Sequence, residues 1–203
     1  MRMSIFAVLL CVVAGHSRAV EGLYGVSTIG AANTEFSGAD LTSMSYKLGI
    51  GYQIERQWYF EAGFQKLAND SLATELPSSM AQLQDGSMPL DATALYAAFL
   101  GKAAGPAGEL FYRVGLLKTD TKGQQVLQGE QSCALGKGTS IALSAEETYT
   151  FCEFDEGGIA GVIGIGFDFF IGPRTMLRTE IEYIKGENNF TASAAYLGLR
   201  YNF

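Results

Sequence analysis

The sequence predicts an all-β protein, an eight-stranded antiparallel transmembrane β-barrel of up-and-down topology, and three observations carry that expectation. The last nine residues alternate strictly, with Ala195, Leu197, Leu199, Tyr201 and Phe203 on one face and Tyr196, Gly198, Arg200 and Asn202 on the other. Seven earlier segments show the same period of two. The connectors between segments alternate between short and long. Alternation alone marks any half-buried strand. Repeated along the chain, with apolar faces for lipid and polar faces for a narrow interior, it describes a barrel inverted relative to a soluble one.

Leu23 to Ala31 forms the first segment. In the second, Tyr46, Leu48, Ile50 and Tyr52 alternate with Lys47, Gly49, Gly51 and Gln53; in the third, Phe60, Ala62 and Phe64 alternate with Glu61, Gly63 and Gln65. Thr93 to Gly101 is apolar on both faces, so its pattern sets no register. Tyr112, Val114 and Leu116 alternate with Arg113, Gly115 and Leu117 in the fifth. The sixth sets Ile163, Ile165, Phe167 and Phe169 against Gly164, Gly166 and Asp168, and the seventh sets Leu177, Thr179, Ile181 and Tyr183 against Arg178, Glu180 and Glu182. The closing strand is the eighth.

Residues 54–57, 102–108 and 171–174 read as short turns, the last built on Gly172 and Pro173. Residues 33–43, 68–92, 120–156 and 186–191 read as longer, more polar loops. Short periplasmic turns and long external loops are expected when both termini lie on the periplasmic side of an even-stranded barrel. Aromatics gather near the short turns, at Tyr52, Trp58, Tyr59, Phe99, Phe111, Tyr112, Phe169, Phe170, Tyr201 and Phe203. Their amphipathic rings suit a membrane interface.

Arg2, the apolar run from Ile5 to Ala14 and the small residues Ser17 and Ala19 read as a secretory signal peptide cleaved after Ala19. The run is too short for a membrane helix. Cleavage leaves residues 20–203 as one barrel domain, with 12 basic against 21 acidic side chains, a balance of −9. That charge argues against nucleic acid as a partner. His16, the one histidine, leaves with the signal peptide. Histidine-based nucleophilic catalysis and histidine–metal chemistry therefore lose their base or ligand, and we expect no enzyme, no cofactor and no metal. Cys133 and Cys152 remain, and in an exported chain a pair of cysteines reads as a disulfide.

Gly164 and Gly166 start a dinucleotide-like pattern, but Phe169 stands where the third glycine belongs and no helical pattern follows. Asn189, Phe190 and Thr191 form a glycosylation sequon, which would carry no function were the chain bacterial.

The signal peptide, the eight short strands, the run Tyr-Lys-Leu-Gly-Ile-Gly-Tyr at 46–52, Glu61, the run Leu-Arg-Thr-Glu-Ile-Glu-Tyr at 177–183 and the terminal Tyr201, Asn202 and Phe203 together resemble the OmpA-like and OmpX-like outer-membrane barrels. The resemblance covers essentially all of the mature chain. It implies a Gram-negative outer membrane with its lipid and lipopolysaccharide. It also implies insertion by the barrel-assembly machinery, with periplasmic chaperones, reading Leu197, Leu199, Tyr201 and Phe203 as the assembly signal. Unlike longer relatives, this chain is expected to carry no peptidoglycan-binding domain after the barrel. Outer-membrane barrels that are enzymes use a histidine in their family patterns, and the mature chain lacks it.

Two candidate sites follow. The inward faces gather Lys47, Arg113, Arg178 and Arg200 against Glu61, Asp168, Glu180 and Glu182, a balanced set expected to pair and fill the bore as a polar core. The loop 120–156 carries Asp120, Glu130, Glu146, Glu147, Glu153, Asp155 and Glu156 against Lys122 and Lys137, and holds both cysteines. Alternation of Tyr149, Phe151 and Glu153 with Thr150, Cys152 and Phe154 suggests that the sixth strand runs on into a protruding hairpin. A Cys133–Cys152 bridge closing about 20 residues would stabilise it by roughly 3 kcal/mol in the chain-entropy model.

A surface barrel with a structural, adhesive or host-contact role, meeting a host or surface protein through 120–156, is the leading function. A small porin-like diffusion channel is the alternative. A soluble ligand-binding barrel ranks third, because Leu48, Ile50, Ile163, Ile165, Leu197 and Leu199 would lie exposed to water. Deleting Phe203, or making Leu199→Arg, where a lipid-facing Arg costs about 2–4 kcal/mol at the bilayer midplane and less near the interface, is expected to lower envelope levels of the folded protein on fractionation and unheated electrophoresis.

Overall fold

A computed structural model describes residues 22–36, 39–70, 72, 89–133, 135–142 and 148–203. The proposed cleavage after Ala19, most of the 68–92 connector, and Glu146 and Glu147 lie outside the described residues. These form β1 (Leu23–Phe36), β2 (Ala39–Glu55), β3 (Trp58–Asn69), β4 (Leu90–Ala104), β5 (Gly108–Gln128), β6 (Lys137–Ala142), β7 (Thr148–Phe170), β8 (Thr175–Gly186) and β9 (Thr191–Asn202). Every pairing is antiparallel. β1 pairs with β9, and β5 pairs with β7 past β6, so eight strands close into a barrel with β6 outside the circle. Closure leaves no ladder edge facing lipid, where an unpaired peptide group costs several kcal/mol.

Side chains project outward and inward in turn. Leu48, Ile163 and Ile181 point out and are 51%, 59% and 64% exposed, whereas Lys47, Asp168 and Glu182 point in and are buried. β4, whose pattern set no register, takes one from its neighbours: Glu61 opposes Ala98 and Arg113 opposes Leu100. Ala98 and Leu100 thereby face inward, while Leu95 and Phe99 face lipid. Tyr52, Trp58, Phe99, Tyr112, Phe169, Phe170, Tyr201 and Phe203 are exposed near the short-turn end. Tyr59 and Phe111 are not interface aromatics: they share the phase of Glu61 and Arg113 and are buried inside.

Several connectors are shorter than the composition suggests. β2 continues through Glu55, leaving a two-residue turn, and Lys102 lies inside β4. Most of 33–43 is ladder, with Phe36 opposite Ala39, and 120–156 is largely strand. The polar side chains that suggested loops are the water-facing residues of strands that have left the membrane. The connector at 186–191 is a tight turn in which Asn188 and Asn189 hold φ of 54° and 57° and the Phe190 amide donates to the Glu187 carbonyl at 2.9 Å. Two successive left-handed residues define the type I′ hairpin, whose twist matches that of the strands.

The long-loop end reverses polarity. Glu35, Asp40, Asp120, Lys122, Glu153 and Asp155 are exposed there. Inside at the same end, Phe36, Leu67, Leu90, Phe154, Ile184 and Phe190 join Tyr96, Leu117 and Val162 in one buried apolar cluster. Where the outer face meets water instead of lipid, the interior becomes an ordinary hydrophobic core. The polar interior expected from the sequence fills only the part of the bore nearer the short turns. Asn189→Gly removes the left-handed penalty at the second turn position and should raise stability by up to about 1 kcal/mol, read as a higher urea midpoint in detergent.

Candidate functional site

The bore holds a charge lattice to which all eight barrel strands contribute a side chain. β8 supplies three members, because Arg178, Glu180 and Glu182 recur every second residue and so share the inner face. Lys47 of β2 donates to Glu180 and, at 2.7 Å, to Glu182. Arg113 of β5 pairs with Glu61 of β3 and with Glu182 at 2.6 Å. Its Nε lies 3.0 Å from Glu180 Oε1, near enough for charge pairing but not aligned as a hydrogen bond. Gln65 donates to Glu182 at 2.8 Å and lies 2.8 Å from the Tyr196 hydroxyl, which also meets Ser45 at 2.7 Å.

A second layer sits nearer the short turns. Arg178 grips Asp168 of β7 with two hydrogen bonds of 2.7 and 2.9 Å and reaches back to Glu61 at 2.8 Å. Arg200 of β9 donates to Asp168 at 3.0 Å and to Glu109 at 2.7 Å. Lys102 of β4 donates to Asp168 at 2.8 Å and to Glu109 at 3.1 Å. Glu61 joins the layers, accepting from Arg113 and Arg178 and, at 3.1 Å each, from the hydroxyls of Tyr24 and Tyr96.

Aromatic rings also lie against the cations that these carboxylates pair with. The Arg200 guanidinium lies 4.1 Å from the Tyr24 ring centroid, Arg178 lies 4.6 Å from Phe111, and Lys102 Nζ lies 4.5 Å from Tyr59. Ring quadrupoles attract cations most where water is excluded. Room for the rings comes from glycine: a Cβ on Gly51 would strike the Tyr24 ring, and one on Gly166 would strike Phe111.

The structure brings the eight residues named from alternation into this one lattice, and adds Lys102, which the sequence reading placed in the 102–108 turn, and Glu109, which follows that turn. With them the lattice holds Lys47, Lys102, Arg113, Arg178 and Arg200 against Glu61, Glu109, Asp168, Glu180 and Glu182, so it remains balanced. Their parity with Leu100 and Arg113 was the available signal. For Lys102, on β4, it was hidden because that strand is apolar on both faces. Above the lattice, the apolar cluster fills the bore.

The second candidate region stands beyond the barrel. β5 pairs with β7 as far as Gln128 opposite Tyr149, and β6 pairs with β7 from the other side, Lys137 opposite Glu153. Cys133 and Cys152 are bridged, with Cα atoms 5.7 Å apart. Asp120, Glu130, Glu153 and Asp155 are exposed, and Lys122 pairs with Asp155 at 3.0 Å. In the closing strand, Leu197, Leu199 and Tyr201 face out, and the Phe203 amide donates to the Leu23 carbonyl at 3.0 Å.

A closed barrel with a lipid-compatible belt and a filled bore is an integral outer-membrane barrel. The family model for the outer membrane protein beta-barrel domain matches residues 4–203, and the chain belongs to that family. Its fold is similar to that of Neisserial surface protein A, with a TM-score of 0.59 and 14% identity over 90% of this chain and 97% of that one. It is similar also to Ail, the attachment invasion locus protein of Yersinia pestis, with a TM-score of 0.54 and 13% identity over 90% of this chain and 99% of that one. Both likenesses are of fold. A comparison with curated protein sequences finds no match.

Removing one partner from a buried ion lattice leaves an uncompensated charge. Glu61→Gln, which leaves the buried lattice one positive charge in excess where Arg113 and Arg178 meet, should cost about 3–5 kcal/mol in urea unfolding in detergent. Glu55→Gln on the exposed end of β2 should change little.

Proposed function

We propose that the protein is a non-conducting surface barrel that makes adhesive or host contact through its projecting strands. The observation that carries this reading is the three-stranded sheet of β5, β7 and β6 beyond the barrel. Among the described residues β6 has β7 as its one paired neighbour, so its outer edge is open. An open edge accepts an extended segment of a partner by main-chain hydrogen bonding. The exposed carboxylates around it favour a basic partner.

Several further points belong to the same reading. Both termini lie on the periplasmic side, with the short turns, which places the projecting sheet outside the cell. The barrel-assembly machinery takes up the terminal strand, whose Leu197, Leu199 and Tyr201 face outward. The protein is not an enzyme: the mature chain offers no histidine, and the lattice carboxylates are committed to ion pairs. One solved structure of Ail is a complex with the heparin analogue sucrose octasulfate, at a TM-score of 0.51 to this chain and 14% identity. The acidic rim here opposes such a polyanion, so a basic ligand is the proposal.

The alternative, a small diffusion channel, is disfavoured because a paired lattice and an apolar cluster occupy the bore in series. Cells displaying the protein should adhere to a surface coated with a basic protein, and lose that adhesion when residues 129–147 are replaced by a short turn. Purified protein should give no conductance steps in planar bilayers. Steady conductance in the intact protein would support the channel, and full adhesion without the hairpin would remove the contact role.

A further inference from the structure

β5 and β6 flank β7 on opposite sides, so the chain between them must cross β7. The crossing is held closely. The Gly129 amide donates to the Thr148 carbonyl at 2.8 Å, and the Gln131 amide donates to the Thr150 hydroxyl at 3.1 Å, which itself donates to the Gly129 carbonyl at 2.8 Å. Gly136 takes a φ of 74°, and a Cβ there would strike the Glu153 carbonyl. Gly138 stands opposite Cys152, and a Cβ on it would lie 2.8 Å from Cys133 Sγ. The two glycines admit the crossing chain and the sulfur against the sheet.

The face that is crossed is the inner one. Cys152 lies two residues from Phe154 and therefore on the same face, and Phe154 packs against Phe36 at 5.3 Å between ring centroids in the apolar cluster that fills the mouth. Leu135, two residues past Cys133, packs against that same cluster. Cys152 is 2% exposed, whereas Cys133 is half-buried. The connection thus lies over the mouth of the barrel.

We propose that residues 129–133 with Leu135 and Gly136 form a latched lid on the extracellular mouth, with the Cys133–Cys152 bridge as its latch and Leu135 as the side chain seated on the apolar plug. Ordering this crossing costs more backbone entropy than a few surface hydrogen bonds and one half-buried leucine return. The bridge supplies the difference by restricting the unlatched ensemble. A dithiol reductant opens it: one thiolate attacks a bridge sulfur, the second thiol resolves the mixed disulfide, and the products are two cysteine thiols and a cyclic disulfide. Two electrons and two protons pass to Cys133 and Cys152. The charge lattice lies deeper and holds no cysteine, so unlatching exposes the apolar mouth without opening a conducting path. This proposal does not rest on the contact role above.

The test uses the folded wild-type protein in detergent, with and without a dithiol. Reduction should speed hydrogen exchange at Gly129 and Gln131, and cleavage at Glu130 and Lys137, by roughly tenfold or more, the scale of losing a loop constraint. Unheated electrophoretic mobility should not change. Cys152, buried under the closed lid, should then be alkylated about as fast as Cys133. Leu135→Ala with the bridge intact should give a smaller rise in exchange. Free thiols in the unreduced protein would overturn the proposal. So would unchanged exchange and cleavage after reduction, or a Cys152 that stays protected while Cys133 reacts. Reducing the wild-type protein after folding separates these outcomes from any assembly defect of a Cys133→Ser, Cys152→Ser variant.

Discussion

Lipid offers no hydrogen-bond partner to a peptide group, and most of this structure follows from that. Each strand in the membrane must be paired on both sides, so the sheet has to close. Here β1 and β9 make the closing ladder, from Tyr24 opposite Asn202 to Glu35 opposite Thr191. Closure of eight strands leaves a bore only wide enough for side chains. What fills the bore is then constrained in turn. Aromatic rings fit where a glycine faces them, as Tyr24 does over Gly51 and Phe111 over Gly166.

The lattice acts on register as much as on stability. A buried ion pair recovers its desolvation cost only when its partners are well placed. Slipping β8 by one residue would carry Arg178, Glu180 and Glu182 to the lipid face and bring Leu177, Thr179 and Ile181 inside. Charged side chains in the bore therefore penalise wrong pairings heavily. Glu61 matters most in this respect, because it joins β3 to β5 through Arg113, to β8 through Arg178, and to β1 and β4 through two tyrosines.

Beyond the lipid the rule inverts, and the same strands change character. Phe36, Leu67, Leu90, Phe154 and Phe190 turn inward while acidic and amide side chains turn outward. β7 passes through both regimes: it is paired with β5 along its length, with β8 within the barrel and with β6 beyond it. The bore is thus closed twice, by ions within the membrane zone and by an apolar plug above it. β6 takes over the side of β7 that β8 leaves, which moves the open edge of the sheet outward by one strand.

The period-two patterns were enough to specify an inverted barrel of eight strands, whereas connector length was not, since the β1–β2 and β8–β9 connections are as tight as those of β2–β3 and β7–β8. The same patterns also named Lys47, Glu61, Arg113, Asp168, Arg178, Glu180, Glu182 and Arg200 as inward residues, because face parity is a local property of an extended chain. What lay beyond reach depended on neighbours. β4 is apolar on both faces, so only its pairing with β3 and β5 sets its register and turns Lys102 inward. Tyr59 and Phe111 look like interface aromatics by composition and are interior by parity. Polar segments such as 33–43 read as loops because alternation reports which face is apolar, not what surrounds it. The height at which the outer face passes from lipid to water, and the crossing that brings Leu135 onto the plug, are decided only when the strands are assembled.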